Sequence, residues 1–152
     1  MRKTFQFFLT SCLLASASLS FAADERTTMG VESRQGIFDV IRMYFGPVYG
    51  MVKGQVPFDG AVVERNAHKI HELASMIPDG FVMNTQGSDV ETEALDAIWD
   101  NIEDFNGKAA TLAEKASALS AAGAEGLEAT QAAFQELGGA CKSCHDDYRE
   151  QE

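Results

Sequence analysis

Residues 127–148 read LEATQAAFQELGGACKSCHDDY, and this stretch combines a helical core pattern with a chemical motif. Apolar and small residues return in it at alternating steps of three and four, which is the spacing of one face of an α-helix. These residues are Leu127, Thr130, Phe134, Leu137, Cys141, Cys144 and Tyr148. The pattern predicts a helix whose inward face includes both cysteines.

Within this helix, Cys141-Lys142-Ser143-Cys144-His145 has the form C-x-x-C-H, the attachment pattern of a c-type haem. Two thiols add across the two vinyl groups of the porphyrin, and a neutral imidazole beside the second thiol reaches the iron. On a helix, Cys141, Cys144 and His145 project from one face within about one turn. The motif predicts one covalent haem c per chain, with His145 as an axial ligand of the iron.

Other uses of a C-x-x-C pair fit this chain less well. A thioredoxin-like pair opens a helix after a strand, whereas this pair closes a helical stretch. A structural zinc site needs four ligands, and here it would have to recruit both His68 and His71. A plain disulfide would strain a helix and leave His145 unexplained. We assign no role to His68 and His71, whose spacing is more typical of a solvated helix face.

The N-terminus has the pattern of a bacterial signal peptide covering residues 1–22. Arg2 and Lys3 precede an apolar run, and Ser20-Phe21-Ala22 supplies small residues for cleavage. Covalent haem attachment in bacteria takes place outside the cytoplasm, so we expect a single mature domain, residues 23–152, in the periplasm. No later stretch reaches the roughly 20 apolar residues of a membrane span, so we expect no membrane insertion.

Cleavage would change both the cysteine count and the charge. Cys12 would leave with the signal peptide, and the haem pair would remain. Loss of Arg2 and Lys3 would leave 10 basic against 23 acidic residues, a formal net charge of −13. Such a charge argues against nucleic acid and anionic membranes as partners. A basic redox protein remains a possible partner, although an acidic surface that only keeps the protein in solution is the simpler interpretation.

Three further stretches have helical patterns. Thr27 or Thr28 could cap a first helix, and we expect that helix to bend or end near Gly46 because Pro47 removes a backbone hydrogen bond. Its inner face would consist of Val31, Arg34, Phe38, Ile41, Phe45 and Val48. A second helix is expected from about residue 61 to 76, ended by Pro78-Asp79-Gly80 and followed by a loop over 81–89.

The third of these stretches has the clearest pattern, with apolar residues at steps of three and four over more than three heptads. The residues are Leu95, Ile98, Ile102, Phe105, Ala109, Leu112, Ala116 and Leu119. A short Gly-containing connection, residues 121–126, makes this helix an antiparallel neighbour of the last one. Four such helices predict an all-α four-helix bundle with its haem near the C-terminus.

At this point the sequence resembles the class II c-type cytochromes, and within them the cytochromes c′. The resemblance rests on the C-terminal Cys-Lys-Ser-Cys-His-Asp-Asp-Tyr-Arg, on Arg34-Gln35, on Val52-Lys53-Gly54-Gln55 before Pro57, and on Ile98-Trp99. It implies an antiparallel four-helix bundle that commonly dimerises through its first two helices. We therefore expect a homodimer.

The resemblance also bears on the side of the iron opposite the histidine. Cytochromes c′ place a non-coordinating apolar side chain there, while their low-spin relatives place a methionine. Counting four residues past the family arginine, matched here by Arg34, gives Phe38. Met43 lies about 140° around the helix from Phe38. We expect a five-coordinate, high-spin iron that binds nitric oxide and carbon monoxide, with single-electron transfer as a further activity.

The alternative is a dedicated electron carrier with a six-coordinate, low-spin His/Met haem. We do not expect an enzyme, because no positioned acid or base accompanies Phe38. By resemblance Arg34 pairs with a haem propionate. We interpret Trp99 and Tyr148 as residues that pack against the porphyrin rather than as redox participants. Arg149 stands four residues after His145, either near the proximal side of the haem or as a solvated C-terminal arginine.

Overall fold

The computed structural model describes residues 4–151, with side chains described for residues 25–151. Over that range it has six α-helices and one short 3-10 turn, Gly123–Glu125. The helices are α1 (Thr4–Val52), α2 (Gly60–Ser75), α3 (Ile77–Gly80), α4 (Ala97–Asp100), α5 (Ile102–Ala122) and α6 (Leu127–Tyr148). Cleavage of the predicted signal peptide, residues 1–22, stays a prediction because it falls outside the part with described side chains.

The four long helices, α1, α2, α5 and α6, form a four-helix bundle, which confirms the predicted fold class. Among the long helices, α2 packs most extensively against α5, α5 against α6, and α1 against α2. Their inward faces meet in one apolar core. Its most deeply buried side chains include Val48, Val63, Ile70, Ile98, Ala116, Leu119 and Leu137. The apolar spacing read from the sequence therefore identifies most of the core, although Leu127 is 39% exposed.

The expectation that the first helix ends near Gly46 is wrong, because α1 continues through Pro47 to Val52, and a bend at that point stays a prediction. Pro47 cannot donate to the carbonyl of Met43, but both residues are exposed, so water can take the place of the lost donor. On the inner side the buried Asn66 of α2 donates from Nδ2 to the Tyr44 carbonyl at 3.1 Å. Tertiary contacts thus hold the helix together at the proline.

The start expected for the first helix is also wrong, since Thr27 and Thr28 lie within α1 rather than at its beginning. The C-terminal end of α1 is followed by Gly54, which has φ of +68°, a conformation that favours glycine. The Gly54 N–H donates to the Met51 carbonyl at 3.0 Å and the Gln55 N–H to the Gly50 carbonyl at 2.8 Å. This pair of bonds is a Schellman motif, which satisfies the last carbonyls of the helix.

The third predicted helix is interrupted, which the apolar spacing did not indicate. Asn101, with φ of −133° and ψ of 41°, separates α4 from α5. Its backbone N–H donates to the carbonyl of Ala97 at 3.1 Å, and its side-chain Nδ2 donates to the same carbonyl at 3.0 Å. An asparagine side chain that competes for backbone partners in this way disfavours a continuous helix. Ile98 still packs into the core across the break.

Candidate haem-binding site

The attachment motif lies in the last two turns of α6. Cys141 and Cys144 are half-buried and pack against the apolar core, and no disulfide joins them. Burial raises the pKa of both thiols, that of Cys144 to about 11. Partial desolvation lowers the pKa of His145, although the residue is largely exposed, and this favours the neutral imidazole that binds metals.

An aromatic cluster centred on Phe81 connects α1 with α5 and α6. The Phe81 ring lies 6.4 Å from that of Phe38, 6.0 Å from that of Trp99 and 4.6 Å from that of Phe105, between ring centroids. Phe105 in turn meets Tyr148 edge to face at 5.4 Å. The predicted site residues Phe38, Trp99 and Tyr148 are thus joined through two other phenylalanines.

Phe81 itself was missed, because the sequence indicates only a loop after Pro78-Asp79-Gly80. Its ring is nevertheless 3% exposed, and its carbonyl accepts a hydrogen bond from Trp99 Nε1 at 3.1 Å. The available signal was the aromatic residue directly after a helix stop. A large apolar side chain at the start of a loop often folds back onto the core.

Arg34 is the most unusual polar side chain near this cluster, because it is charged and only 2% exposed. Its guanidinium lies 4.9 Å from the centroid of the Phe81 ring and 5.3 Å from that of the Trp99 ring. One terminal nitrogen donates to Thr85 Oγ1, and burial lowers the pKa of the guanidinium. Thr85 is a second contact that the sequence did not indicate.

The other two nitrogens of Arg34, Nε and Nη1, have no hydrogen-bond partner among the described residues. A buried cation left partly unpaired is costly, so this position suits an anionic group brought by a ligand. Haem carries two propionate carboxylates. The residues present therefore fit haem c: Cys141, Cys144 and His145 match its attachment, and the partly unpaired buried cation of Arg34 suits a propionate.

Residues 81–96, which we call the strap, cross from α1 to the end of α6. Near α1 the strap is held by Thr85 on Arg34 and by Gln35 Nε2, which donates to the Glu91 carbonyl at 3.3 Å. Near α6 the Leu95 N–H donates to the Tyr148 carbonyl at 3.0 Å. The strap therefore brings the first helix and the attachment helix to the same end of the bundle.

Arg149 does not lie one turn beyond His145 on the same helix face, as its spacing suggested. The helix ends at Tyr148, and Arg149 has the extended angles φ −124° and ψ 141°. Its Nε donates to Glu93 of the strap at 2.7 Å. A backbone hydrogen bond joins the same two segments, since the Glu150 N–H donates to the Glu93 carbonyl at 2.8 Å. Arg149 anchors the strap, and its contact with haem stays a prediction.

Tyr148, the last of the predicted site residues, is held by a hydrogen bond to α5. The Tyr148 hydroxyl donates to Asp104 Oδ2 at 2.6 Å, and this bond raises the pKa of Tyr148 to about 12.

On α2, His71 Nδ1 lies 2.9 Å from the Ala113 carbonyl oxygen, while His68 is exposed beside Glu72. Residues 25–151 contain no cluster of three or more potential metal-binding side chains.

Comparison with known proteins agrees with this arrangement. The sequence profile described as Cytochrome C′ matches residues 30–149. The chain belongs to the cytochrome c′ family. It is 35% identical over 143 residues to a cytochrome c′ of Cereibacter sphaeroides, covering 93% of this chain and 95% of the relative. It is 36% identical over 141 residues to a cytochrome c-556 of Agrobacterium fabrum, covering 93% and 90% respectively.

Solved structures give the same family. A cytochrome c′ from Rhodobacter sphaeroides has a TM-score of 0.76 and 34% identity, covering 83% of this chain and 98% of that one. A ferrous variant of cytochrome c′ from Alcaligenes xylosoxidans with bound nitric oxide has a TM-score of 0.71 and 31% identity, covering 81% and 94%.

Members of the cytochrome c′ family bind covalent haem c, and Cys141, Cys144 and His145 of this chain fit the attachment motif. The cofactor prediction is therefore confirmed. In the part of the chain that the structure describes, no helix has the length and apolar character of a bilayer-spanning segment.

The position of Phe81 leads to a prediction about stability. Replacing Phe81 with alanine removes the ring that four aromatic or cationic groups surround, so we expect the free energy of unfolding to fall by about 3–5 kcal/mol. The neighbouring Val82 is 82% exposed, and Val82→Ala is expected to change it by less than about 0.5 kcal/mol. Denaturant unfolding of the haem-loaded protein measures both. Equal effects would contradict a buried role for Phe81.

Proposed function

We propose that this chain is a periplasmic haem protein whose iron has His145 as its only protein ligand and binds nitric oxide and carbon monoxide. The observation that carries the proposal is the side chain one turn after Arg34 on the inner face of α1. That side chain is Phe38, which has no atom that can bind iron. It is half-buried and meets the Phe81 ring edge to face.

The methionines described on α1 point elsewhere. Met29 is 60% exposed and Met43 is 59% exposed, while Met51 belongs to the core near the end of the helix. On the strap, Met83 packs against Gly30, two turns before Phe38. These positions favour an open sixth coordination site over the His/Met alternative.

The residues around Phe38 set what can bind there. Haem c supplies an iron that can bind a diatomic gas and exchange one electron. The phenyl ring offers no hydrogen-bond donor and excludes water, which withholds the polar support that dioxygen needs. Nitric oxide and carbon monoxide depend less on such donors. The two unpaired nitrogens of Arg34 are suited to a haem propionate through a charge-assisted hydrogen bond.

The relatives support the gas-binding part of the proposal without deciding it. The Alcaligenes xylosoxidans structure contains nitric oxide, which is a finding about that protein. The matched relatives include cytochromes named c′, c-554 and c-556, so membership of the family alone does not choose the coordination state. For this chain the choice rests on Phe38. Electron transfer remains a second activity that the acidic surface would direct toward basic partners.

Location in the periplasm is part of the proposal. It is supported by the signal-peptide pattern of residues 1–22 and by the attachment of haem to thiols, which bacteria carry out outside the cytoplasm. Detection of a mature N-terminus at Ala23 by mass spectrometry of the periplasmic fraction is the direct test.

Truncation of Phe38 tests the proposed gas site. Phe38→Ala removes the ring beside the iron, so carbon monoxide should bind the ferrous protein at least about tenfold faster, equivalent to about 1.4 kcal/mol of steric barrier. The matched control is Phe45→Ala, two turns along the same face, where Phe45 packs on Phe134 at 4.7 Å. Stopped-flow mixing measures both rates. An unchanged rate in Phe38→Ala, or the same acceleration in both variants, would place Phe38 away from the iron.

The outward face of α1 supports the homodimer. Val40 is 37% exposed and Met43 59% exposed, with the exposed Pro47 one turn further on, which is an apolar strip on the bundle surface. We propose that a second copy covers it. Sedimentation velocity should show a wild-type dimer and a monomeric Met43→Glu variant, while Val82→Glu, at a more exposed apolar position on the strap, stays dimeric. A wild-type monomer would refute this assembly.

A further inference from the structure

A polar network between α5 and α6 lies beside the attachment motif and has no part in the proposed function. Its centre is Lys108 of α5, whose side chain is 20% exposed. Lys108 Nζ donates to Ser143 Oγ at 3.0 Å and lies 2.9 Å from Asp147 Oδ2. Ser143 stands between the two attachment cysteines, and Asp147 follows His145 by two residues. Lys108 therefore contacts α6 within the motif and just beyond it.

The same lysine is linked to the end of the aromatic cluster. Asp104, one turn earlier on α5, lies 3.9 Å from Lys108 Nζ and accepts the Tyr148 hydroxyl bond on its Oδ2. The groups facing Lys108 are thus two carboxylates, a serine hydroxyl and, through Asp104, a tyrosine. The two carboxylates are more exposed than the lysine, with side-chain exposures of 62% for Asp104 and 56% for Asp147.

The charge of Lys108 is maintained at neutral pH and lies at the attachment turn of α6. The hydrogen bond to Asp147 raises the pKa of Lys108. Ser143, which Lys108 Nζ contacts at 3.0 Å, directly precedes Cys144, so this contact places the cation on the attachment turn. The charge of Lys108 would also act on the iron of a haem bound at this turn. The low exposure of Lys108 limits the screening of that interaction by solvent and salt.

We propose that Lys108 is a positioning residue for the haem: it fixes the attachment turn of α6 against α5 and holds a positive charge beside Cys144 that raises the reduction potential of the iron. Reduction lowers the charge of the iron by one unit, so a nearby cation stabilises the reduced form relative to the oxidised form. The proposal requires haem at Cys141 and Cys144. It does not depend on which group, if any, lies opposite His145.

The chain offers a closely matched control for this proposal. Lys115 stands two turns after Lys108 on α5 and also pairs with a carboxylate of α6, with Nζ 3.1 Å from Glu136 Oε2. Spectroelectrochemical titration of the haem-loaded protein should give a lower midpoint potential for Lys108→Met than for the wild type. Lys108→Arg should retain the wild-type value, and Lys115→Met should leave it unchanged.

A second variant separates charge from loosened packing. Asp147→Asn removes a negative charge but also weakens the bond to Lys108, so the proposal predicts a higher midpoint potential. A structural effect alone would move Lys108→Met and Asp147→Asn in the same direction. An unchanged potential in Lys108→Met, or shifts of the same sign in both variants, would overturn the proposal.

The amount of bound haem can be measured even in a variant that holds too little haem for a redox titration. The haem-to-protein ratio of Lys108→Met should fall below that of Lys115→Met if Lys108 also positions the attachment turn during maturation. If Lys108→Met carries too little haem to titrate, the sign of the shift in Asp147→Asn decides the electrostatic part. Equal haem loading in the two lysine variants would refute the positioning part.

Discussion

The structure depends on one constraint: two thiols and an imidazole that hold the same haem must project from one face of one helix. Cys141, Cys144 and His145 meet it within a turn of α6, and the cysteines continue the inward register of Phe134 and Leu137. The attachment point therefore shares its register with the core. The haem must face the interior of the bundle, and the other helices have to supply its surroundings.

Two cations lie in enclosed positions near this site, although the protein as a whole is strongly acidic. The chain has 23 acidic and 12 basic residues, yet Arg34 is buried among aromatic rings and Lys108 is largely enclosed beside Ser143. We expect Arg34 to face a haem propionate and Lys108 to lie beside the attached haem. Enclosed cations of this kind would stabilise the cofactor locally, within a chain whose net charge is strongly acidic.

Periodicity and the haem motif were enough to predict the four helices, the core side of each and the cofactor, because these properties depend on local spacing. Pro47 and Asn101 show where that reasoning stops. Pro47 is tolerated within α1 because Asn66 of α2 donates a hydrogen bond to the carbonyl of Tyr44. Asn101 interrupts a helix although the apolar pattern continues across it. Phe81 and Thr85 reach the site from a loop without periodicity, and the extended backbone of Arg149 could not be inferred from its spacing.

The central claim is that the side of the iron facing Phe38 has no protein ligand, and the spin state of the wild-type haem tests it most directly. Electronic absorption and resonance Raman spectra of the purified ferric and ferrous protein should show a five-coordinate, high-spin haem with histidine as the only axial ligand. A low-spin, six-coordinate spectrum with methionine ligation would contradict the account and would place a sulfur atom, such as that of Met83, where we place the phenyl ring.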